Sequence, residues 1–290
     1  MPGPYVSRHR LALEVQRLRA EHGHSIDSLA RALGVSRQRI SNIENGGGAS
    51  QAMMATICDY FKLGEQRRKK LQEVASRSRA KGWWAVHEKA MGYEQALTAD
   101  LEDGAVRIWE YELSLIPGLL QTEEYSEARV QADPEAAADG FDPSRSLDAR
   151  RERQQRLTAS DGLFYDVVID ELAFRRAPTP PGIMRRQIEH LLDISHRQGP
   201  ATIRILPIDA NIVGQAVPRS AFSVYQYPDP EDPVVVTAGT TAQLQVHLQP
   251  TVVAIYRSSY ERLRAAALTP QRTHNLLAGL VGDLREIAKP

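Results

Sequence analysis

Residues 25–46 read SIDSLARALGVSRQRISNIENG, two short amphipathic segments joined at Gly34-Val35. The first turns Ile26, Leu29, Ala30 and Leu33 to one side, and the second turns Ile40 and Ile43. Between the apolar positions of the second segment lie Arg37, Gln38, Arg39, Ser41 and Asn42. Long polar side chains on the outward face of a short helix are what reading the edges of base pairs in a DNA major groove requires.

Working outward, residues 7–20 place Leu11, Val15 and Leu18 on one helical face, with Ser7 as the expected N-cap, and Gly23 ends that helix. Gly46-Gly47-Gly48 breaks the chain. A helix resumes over 50–61 with Met54, Ile57, Cys58 and Phe61 inward. A fifth, basic helix over 65–79 carries Arg67, Arg68, Lys69 and Lys70. The expected unit is therefore an all-α five-helix domain over residues 1–80.

Residues 81–95, with Trp83 and Trp84, read as a junction. From 96 to 290 the pattern is mixed. Helices are expected over 95–111, 121–131, 145–159 and 182–198, with a polar loop at 132–144. Strands are expected over 163–171 (LFYDVVIDE) and 202–207. Residues 220–227 and 233–238 read as a strand pair across YPDPEDP. Two helices close the chain, at about 250–267 and 270–287, the second opened by Thr269-Pro270. The fold class is multidomain: a helical DNA-binding domain followed by an α+β effector and dimerisation domain. No internal repeat is visible.

The chain of 290 residues has equal numbers of basic and acidic side chains, 36 of each. They are not evenly spread. Residues 1–82 hold 15 Lys/Arg and 7 Asp/Glu, a net of +8, and the remainder carries 21 and 29, a net of −8. A basic module on an acidic one implies a polyanion at the front and something else behind. Cys58 is the sole cysteine, so no intramolecular disulfide forms. The first ten residues lack the apolar run of a signal peptide, and no stretch has the roughly 20 apolar residues of a membrane span. A cytoplasmic location is expected.

The spacing Leu29-Ala30, Leu33-Gly34-Val35-Ser36, Ile40-Ser41, Ile43-Glu44 and Asn45-Gly46 resembles the lambda-repressor-like helix-turn-helix of the Xre/Cro family, over residues 8–62. Ala30 is small enough for two helices to cross closely, Gly34 allows the tight turn, Ser36 is a natural N-cap and Gly46 a natural stop. The resemblance implies base-edge roles for Arg37, Gln38 and Asn42, with Arg suited to guanine and Gln or Asn to adenine. It implies phosphate contacts from Ser25, Ser36, Arg39, Ser41 and Asn45. It also implies that Glu44 is structural and pairs with Arg19.

Residues 95–287 resemble the effector-like domain of a large actinobacterial regulator family, often called Scr1-like or antitoxin-like. The resemblance rests on Ile116–Thr122 with Tyr125, Asp148–Arg151 with Arg153-Gln154, and Asp170–Ala173. Ile183–Gln187 with Leu191-Leu192, Leu206-Pro207 and Ala266–Leu268 add to it. It implies a small partner protein encoded nearby. The chain departs from the family after Val234–Val236, where Thr237-Ala238-Gly239-Thr240-Thr241 replaces a stretch that often carries an acid.

Other constellations have plainer readings. Asp170-Glu171 sits at a strand end without a partnered nucleophile, so pairing with Arg150 or Arg153 is preferred to catalysis. His22 and His24 have no third ligand nearby, and His190 and His196 are poorly spaced for one helix face, so no metal site is expected. Gly46–Gly48 lacks the following Lys-Ser/Thr of a phosphate-binding loop. Cys58 reads as core rather than redox-active. Arg150, Arg151, Arg153 and Arg156 read as a helix bridged internally by Asp148 and Glu152. Trp83, Trp84 and Trp109 read as packing residues first and as effector or partner contacts second. No enzyme activity and no cofactor is expected.

The sequence thus implies a regulator that inserts helix 36–45 into the major groove of double-stranded DNA. A homodimer on a palindromic operator is expected, because one short helix reads few base pairs. A small protein or a small-molecule effector is expected to act on the C-terminal domain. The alternative is an antitoxin-like protein that sequesters a small partner and autoregulates its operon.

Overall fold

The computed structural model describes residues 1–132, 142–157, 162–176, 178–196, 201–215, 217–240 and 243–287. Two compact units emerge. The first gathers Met1–Ala85, Leu97–Gly104 and Tyr227–Pro233, and the second gathers Val86–Ala96, Ala105–Gln226 and Val234–Pro290.

The first unit contains five helices: α1 (Pro4–Glu21), α2 (Ile26–Ala32), α3 (Arg37–Asn42), α4 (Gln51–Tyr60) and α5 (Glu65–Arg77). One apolar cluster holds them, in which Leu11, Val15, Leu18, Leu29, Ala30, Ile40, Ile43, Met54, Ile57, Cys58, Leu71 and Val74 are buried. Three helices start on a serine whose hydroxyl accepts a backbone N–H: Ser25 from Ser28 at 3.1 Å, Ser36 from Arg39 at 3.2 Å and Ser50 from Met53 at 3.1 Å. Each such cap contributes about 1 kcal/mol.

The start of α1 corrects the expectation of a Ser7 cap. The helix begins three residues earlier, with Pro4 in its first turn and Gly3 as cap residue, and Ser7 is buried inside it. The cap comes from far along the chain: the Asp100 carboxylate accepts the Tyr5 N–H at 3.2 Å. Asp100 lies on a further helix, α7 (Tyr93–Glu102), which follows the single-turn α6 (Glu88–Met91).

The second unit is built on a six-stranded sheet of order β3-β2-β1-β4-β5-β6. Its strands are β1 (Arg107–Glu112), β2 (Phe164–Asp170), β3 (Ala201–Leu206), β4 (Phe222–Gln226), β5 (Val235–Gly239) and β6 (Leu244–His247). The first three run parallel, joined through α8 (Glu123–Ala132) and α9 (Pro143–Gln154), then α10 (Leu172–Arg175) and α11 (Pro181–His196). The last three form an antiparallel meander off β1. Helices α12 (Pro250–Ala266) and α13 (Pro270–Ile287) close the unit. On one face of the sheet Tyr111, Val168, Phe222, Val224 and Val236 pack with Val253, Tyr260 and Leu263 of α12. From Tyr165 onward β2 is buried at every position, as expected of a parallel strand covered on both sides.

The helix expected over 95–111 is overturned in its second half, where β1 stands at the centre of the sheet. Leu97, Leu101, Ala105 and Ile108 have helical spacing, but RIWEYE alternates, and Trp109 and Tyr111 pack on one face of a strand paired on both edges. The short edge strand β6 lies between the strand expected at 233–238 and the helix expected at about 250–267, where no element was expected. The expected strand pair across YPDPEDP is present as β4 and β5, with Val224 opposite Val236. Most of the expected loop at 132–144 lies outside the described residues, as does Thr241, and α9 begins at Pro143.

Candidate nucleic-acid interface

Helix α3 is short and is fixed from beneath. Ile40 and Ile43 are fully buried. The chain reaches α3 through Gly34 at φ +65° and leaves it through Gly46 at φ +82°. Both values lie in the left-handed region that favours glycine. At Gly46 a Cβ would also stand 2.6 Å from Cε1 of His9, so that ring would have to shift.

The opposite side of α3 is open. Arg37, Gln38 and Asn42 are exposed, as are Ser25, Ser36 and Asn45, while Arg39 and Ser41 are half-buried. The structure therefore brings the residues proposed for base edges onto one helix and those proposed for phosphate around it. Several are already oriented. Gln38 donates its amide N–H to Oδ1 of Asn42 at 2.7 Å. Asn45 donates to the Ser41 carbonyl at 2.8 Å. Arg37 pairs with Asp27 at 3.1 Å, with both side chains more than 60 % exposed, so the pair constrains the guanidinium weakly.

Glu44 faces inward, as expected. Its carboxylate accepts two bonds from Arg19, from Nε at 2.6 Å and from the guanidinium terminus at 3.0 Å. These bonds hold the Arg19 guanidinium above its ordinary pKa. Gln16, which carried no sequence signal, donates to the Glu44 carbonyl at 2.7 Å. Two side chains one helical turn apart on α1 thus pin the residue just beyond α3.

The remaining candidates fall away from this surface. Trp83 and Trp84 meet edge to face at 5.7 Å, Trp84 buried and Trp83 half-buried. Trp109 is buried under the guanidiniums of Arg107 and Arg257, at 5.4 and 4.9 Å from its ring centre. The crevice beside it, about 10 Å³, has room for no more than a water. Asp170 and Glu171 are structural, but not through Arg150 or Arg153. Asp170 accepts the Tyr111 hydroxyl at 3.1 Å and caps the Leu172 N–H at 2.9 Å. Glu171 binds Arg175 at 2.6 Å and the Ile208 N–H at 3.0 Å. Arg150 turns to Gln121 and Arg153 to Gln95 because α9 packs its arginines toward neighbouring segments, while Arg151 bridges to Asp148 and Glu123. His24 meets the Tyr60 hydroxyl at 2.9 Å. Among the described residues no group of three His, Cys, Asp or Glu side chains is placed to hold a metal, and no helix is long and apolar enough to cross a membrane. Cys58 is fully buried, and burial pushes its thiol up.

Two family models match the chain. One, described as helix-turn-helix, covers residues 15–67. The other, described as a domain of unknown function, DUF5753, covers residues 95–279. No curated protein and no solved structure matches the chain.

Proposed function

We infer the function of this chain, which belongs to the DUF5753 family, from the helix-turn-helix domain that precedes that region. The domain makes it a DNA-binding transcriptional regulator. The proposal concerns how it reads DNA and what governs it. Helix α3 enters the major groove; Arg37, Gln38 and Asn42 read base edges; Ser25, Ser36, Arg39, Ser41 and Asn45 contact phosphate. The carrying observation is the bond from Gln38 to Asn42 on the exposed face of α3. It spends one donor and one acceptor and leaves an amide oxygen on Gln38 beside an amide N–H on Asn42. That acceptor–donor pair complements the N6 amino group and N7 of adenine. Arg37, one position earlier, is suited to guanine. Ser25 and Ser36 accept backbone bonds as caps, and their hydroxyl protons are free to be donated to phosphate.

A homodimer on a palindromic site completes the reading, since α3 spans six residues and contacts few base pairs. The C-terminal unit is proposed to take a small partner protein or an effector that sets when DNA is bound.

The test uses the full chain and the tightest duplex selected by it from a random pool. Arg37→Ala and Gln38→Ala should each cost about 1–3 kcal/mol on that duplex, with discrimination relaxed at separate positions. Unchanged affinity in the Arg37/Gln38 double variant would show that α3 does not read the sequence.

A further inference from the structure

Arg10 lies on α1 and is buried, with 3 % of its surface exposed. A buried guanidinium demands compensation, and its own helix supplies only a Coulombic pull from Glu14 rather than an ion pair. It comes instead from the turn between β4 and β5, more than 200 residues away in sequence. Arg10 binds Asp229 at 2.7 Å, Glu231 at 2.6 Å and Asp232 at 2.9 Å. Lys70 of α5 meets the same turn, at 3.1 Å from Asp229 and 2.8 Å from Glu231. Asp229 also accepts the Glu231 N–H at 3.1 Å, which folds the turn on itself. Burial alone would push the Asp229 carboxyl up, but these bonds outweigh it and hold it down at about 2. The segment is stiff, because Pro228, Pro230 and Pro233 fix three of its seven backbone φ angles. At its start the Tyr227 hydroxyl donates to the Leu101 carbonyl at 2.7 Å.

The helix so gripped is the one that pins the end of α3. Arg10 sits in its N-terminal half, while Gln16 and Arg19 hold Glu44 from its C-terminal half. An α-helix transmits a displacement along its length as a rod. We propose that the acidic turn Asp229–Asp232 and Arg10 are positioning residues for DNA reading, a latch that fixes α1 and through it α3. The proposal rests on the assignment of α3 as the reading helix. Residues 1–80 alone would leave this arginine buried without its carboxylates.

The experiment uses the full chain and the selected duplex. Arg10→Met with Asp229→Asn and Asp232→Asn removes both sides of the latch, a replacement that buried ion pairs often tolerate in stability. This variant should melt cooperatively above the assay temperature and lose at least tenfold in affinity. The slope of log affinity against log salt should be unchanged, because Arg10 touches no phosphate, whereas a lost phosphate contact lowers the slope by about 1. Arg10→Lys, which keeps the charge, should recover part of the loss. Wild-type affinity in the triple variant, or a lowered slope, overturns the latch. Should the triple variant not fold, Asp229→Asn alone should weaken binding about threefold and speed amide exchange across residues 4–21; neither change would also overturn it. The Arg37/Gln38 double variant on the same duplex separates the two ideas. Loss there with wild-type binding by the latch variant sinks the latch alone, and wild-type binding by both sinks the reading-helix assignment.

Discussion

Removing Arg19 tests the physical account of the helix-turn-helix most directly. The Glu44 side chain is 6 % exposed and that of Arg19 22 %. Arg19→Ala therefore strands a carboxylate that keeps little contact with water. Truncating one partner of a buried pair costs about 3–5 kcal/mol. Partial access of water at Arg19 places the expected cost near the lower end, about 3 kcal/mol. Arg19 also donates to the His24 carbonyl at 3.0 Å, so the loss extends to the loop before α2. Glu44→Gln preserves shape and one acceptor and should cost about 1 kcal/mol. The double variant Arg19→Met/Glu44→Leu removes both charges and should lie within about 1 kcal/mol of wild type, well above Arg19→Ala in stability.

The assay is urea unfolding of the full chain. Two compact units make a single two-state fit unsafe, and the tryptophans solve this. Trp83 and Trp84 belong to the first unit and Trp109 to the second. In a Trp109→Phe background fluorescence follows the first unit alone. A unit of this size should shift its melting point by roughly 4–8 °C per kcal/mol, so Arg19→Ala should lower it by more than 10 °C. A cost below about 0.5 kcal/mol for Arg19→Ala, or a Met/Leu double variant as unstable as Arg19→Ala, would refute the claim that this pair is a buried tie.

Two further outcomes follow from burial. Burial raises the Asp100 carboxyl from 3.8 to about 7; the folded state then holds its proton more tightly than the unfolded chain, so stability should fall as pH rises from about 4 to about 7 and level off above. Asp100→Asn, which keeps an acceptor for Tyr5, should flatten that slope in urea titrations across this range, and an unchanged slope would dissociate it from Asp100. Cys58 should resist a thiol-specific disulfide reagent in the native chain and react at the rate of unfolding in urea, and rapid labelling without urea would contradict its place in the core.

How much of this was legible in the sequence depends on the distance over which each feature is determined. The spacing of Leu29, Ala30, Ile40 and Ile43 specifies the helix-turn-helix locally, and all four are buried in one cluster. Val167, Val168 and Ile169 identify β2 by composition, and all are fully buried. The strand β1 was missed because four apolar residues at helical spacing run into it, and only pairing with β2 and β4 decides otherwise. Ser7 looked like a cap because Ser before an apolar stripe usually is one, whereas the actual cap is a carboxylate 95 residues on. The latch had one local sign. Arg10 adjoins Leu11 and falls on the face that also carries Ser7, and an arginine there must find acids somewhere. Nothing local says that the acids are those of YPDPEDP, which reads simply as a turn.

The same long-range contacts change the meaning of the charge asymmetry. By sequence, the first 82 residues carry +8. The compact unit they belong to also takes Asp100, Glu102 and Asp103 from one distant segment and Asp229, Glu231 and Asp232 from another, which brings it to 15 basic and 13 acidic residues, a net of +2. A bulk field that weak does little to attract DNA, so attraction has to come from where the charges stand. Arg10, Arg17, Arg19, Arg67, Arg68 and Lys70 are spent on carboxylates. On α3 Arg39 makes no ion pair among the described residues, and the pair made by Arg37 is exposed and costs at most about 1 kcal/mol to exchange for a base or a phosphate. These paired cations all stand on α1 and α5, and the cations left over include those of α3. A nearly neutral unit with this distribution fits the proposed reading by α3, in which a few placed contacts rather than general attraction would hold DNA, as a reader of sequence requires.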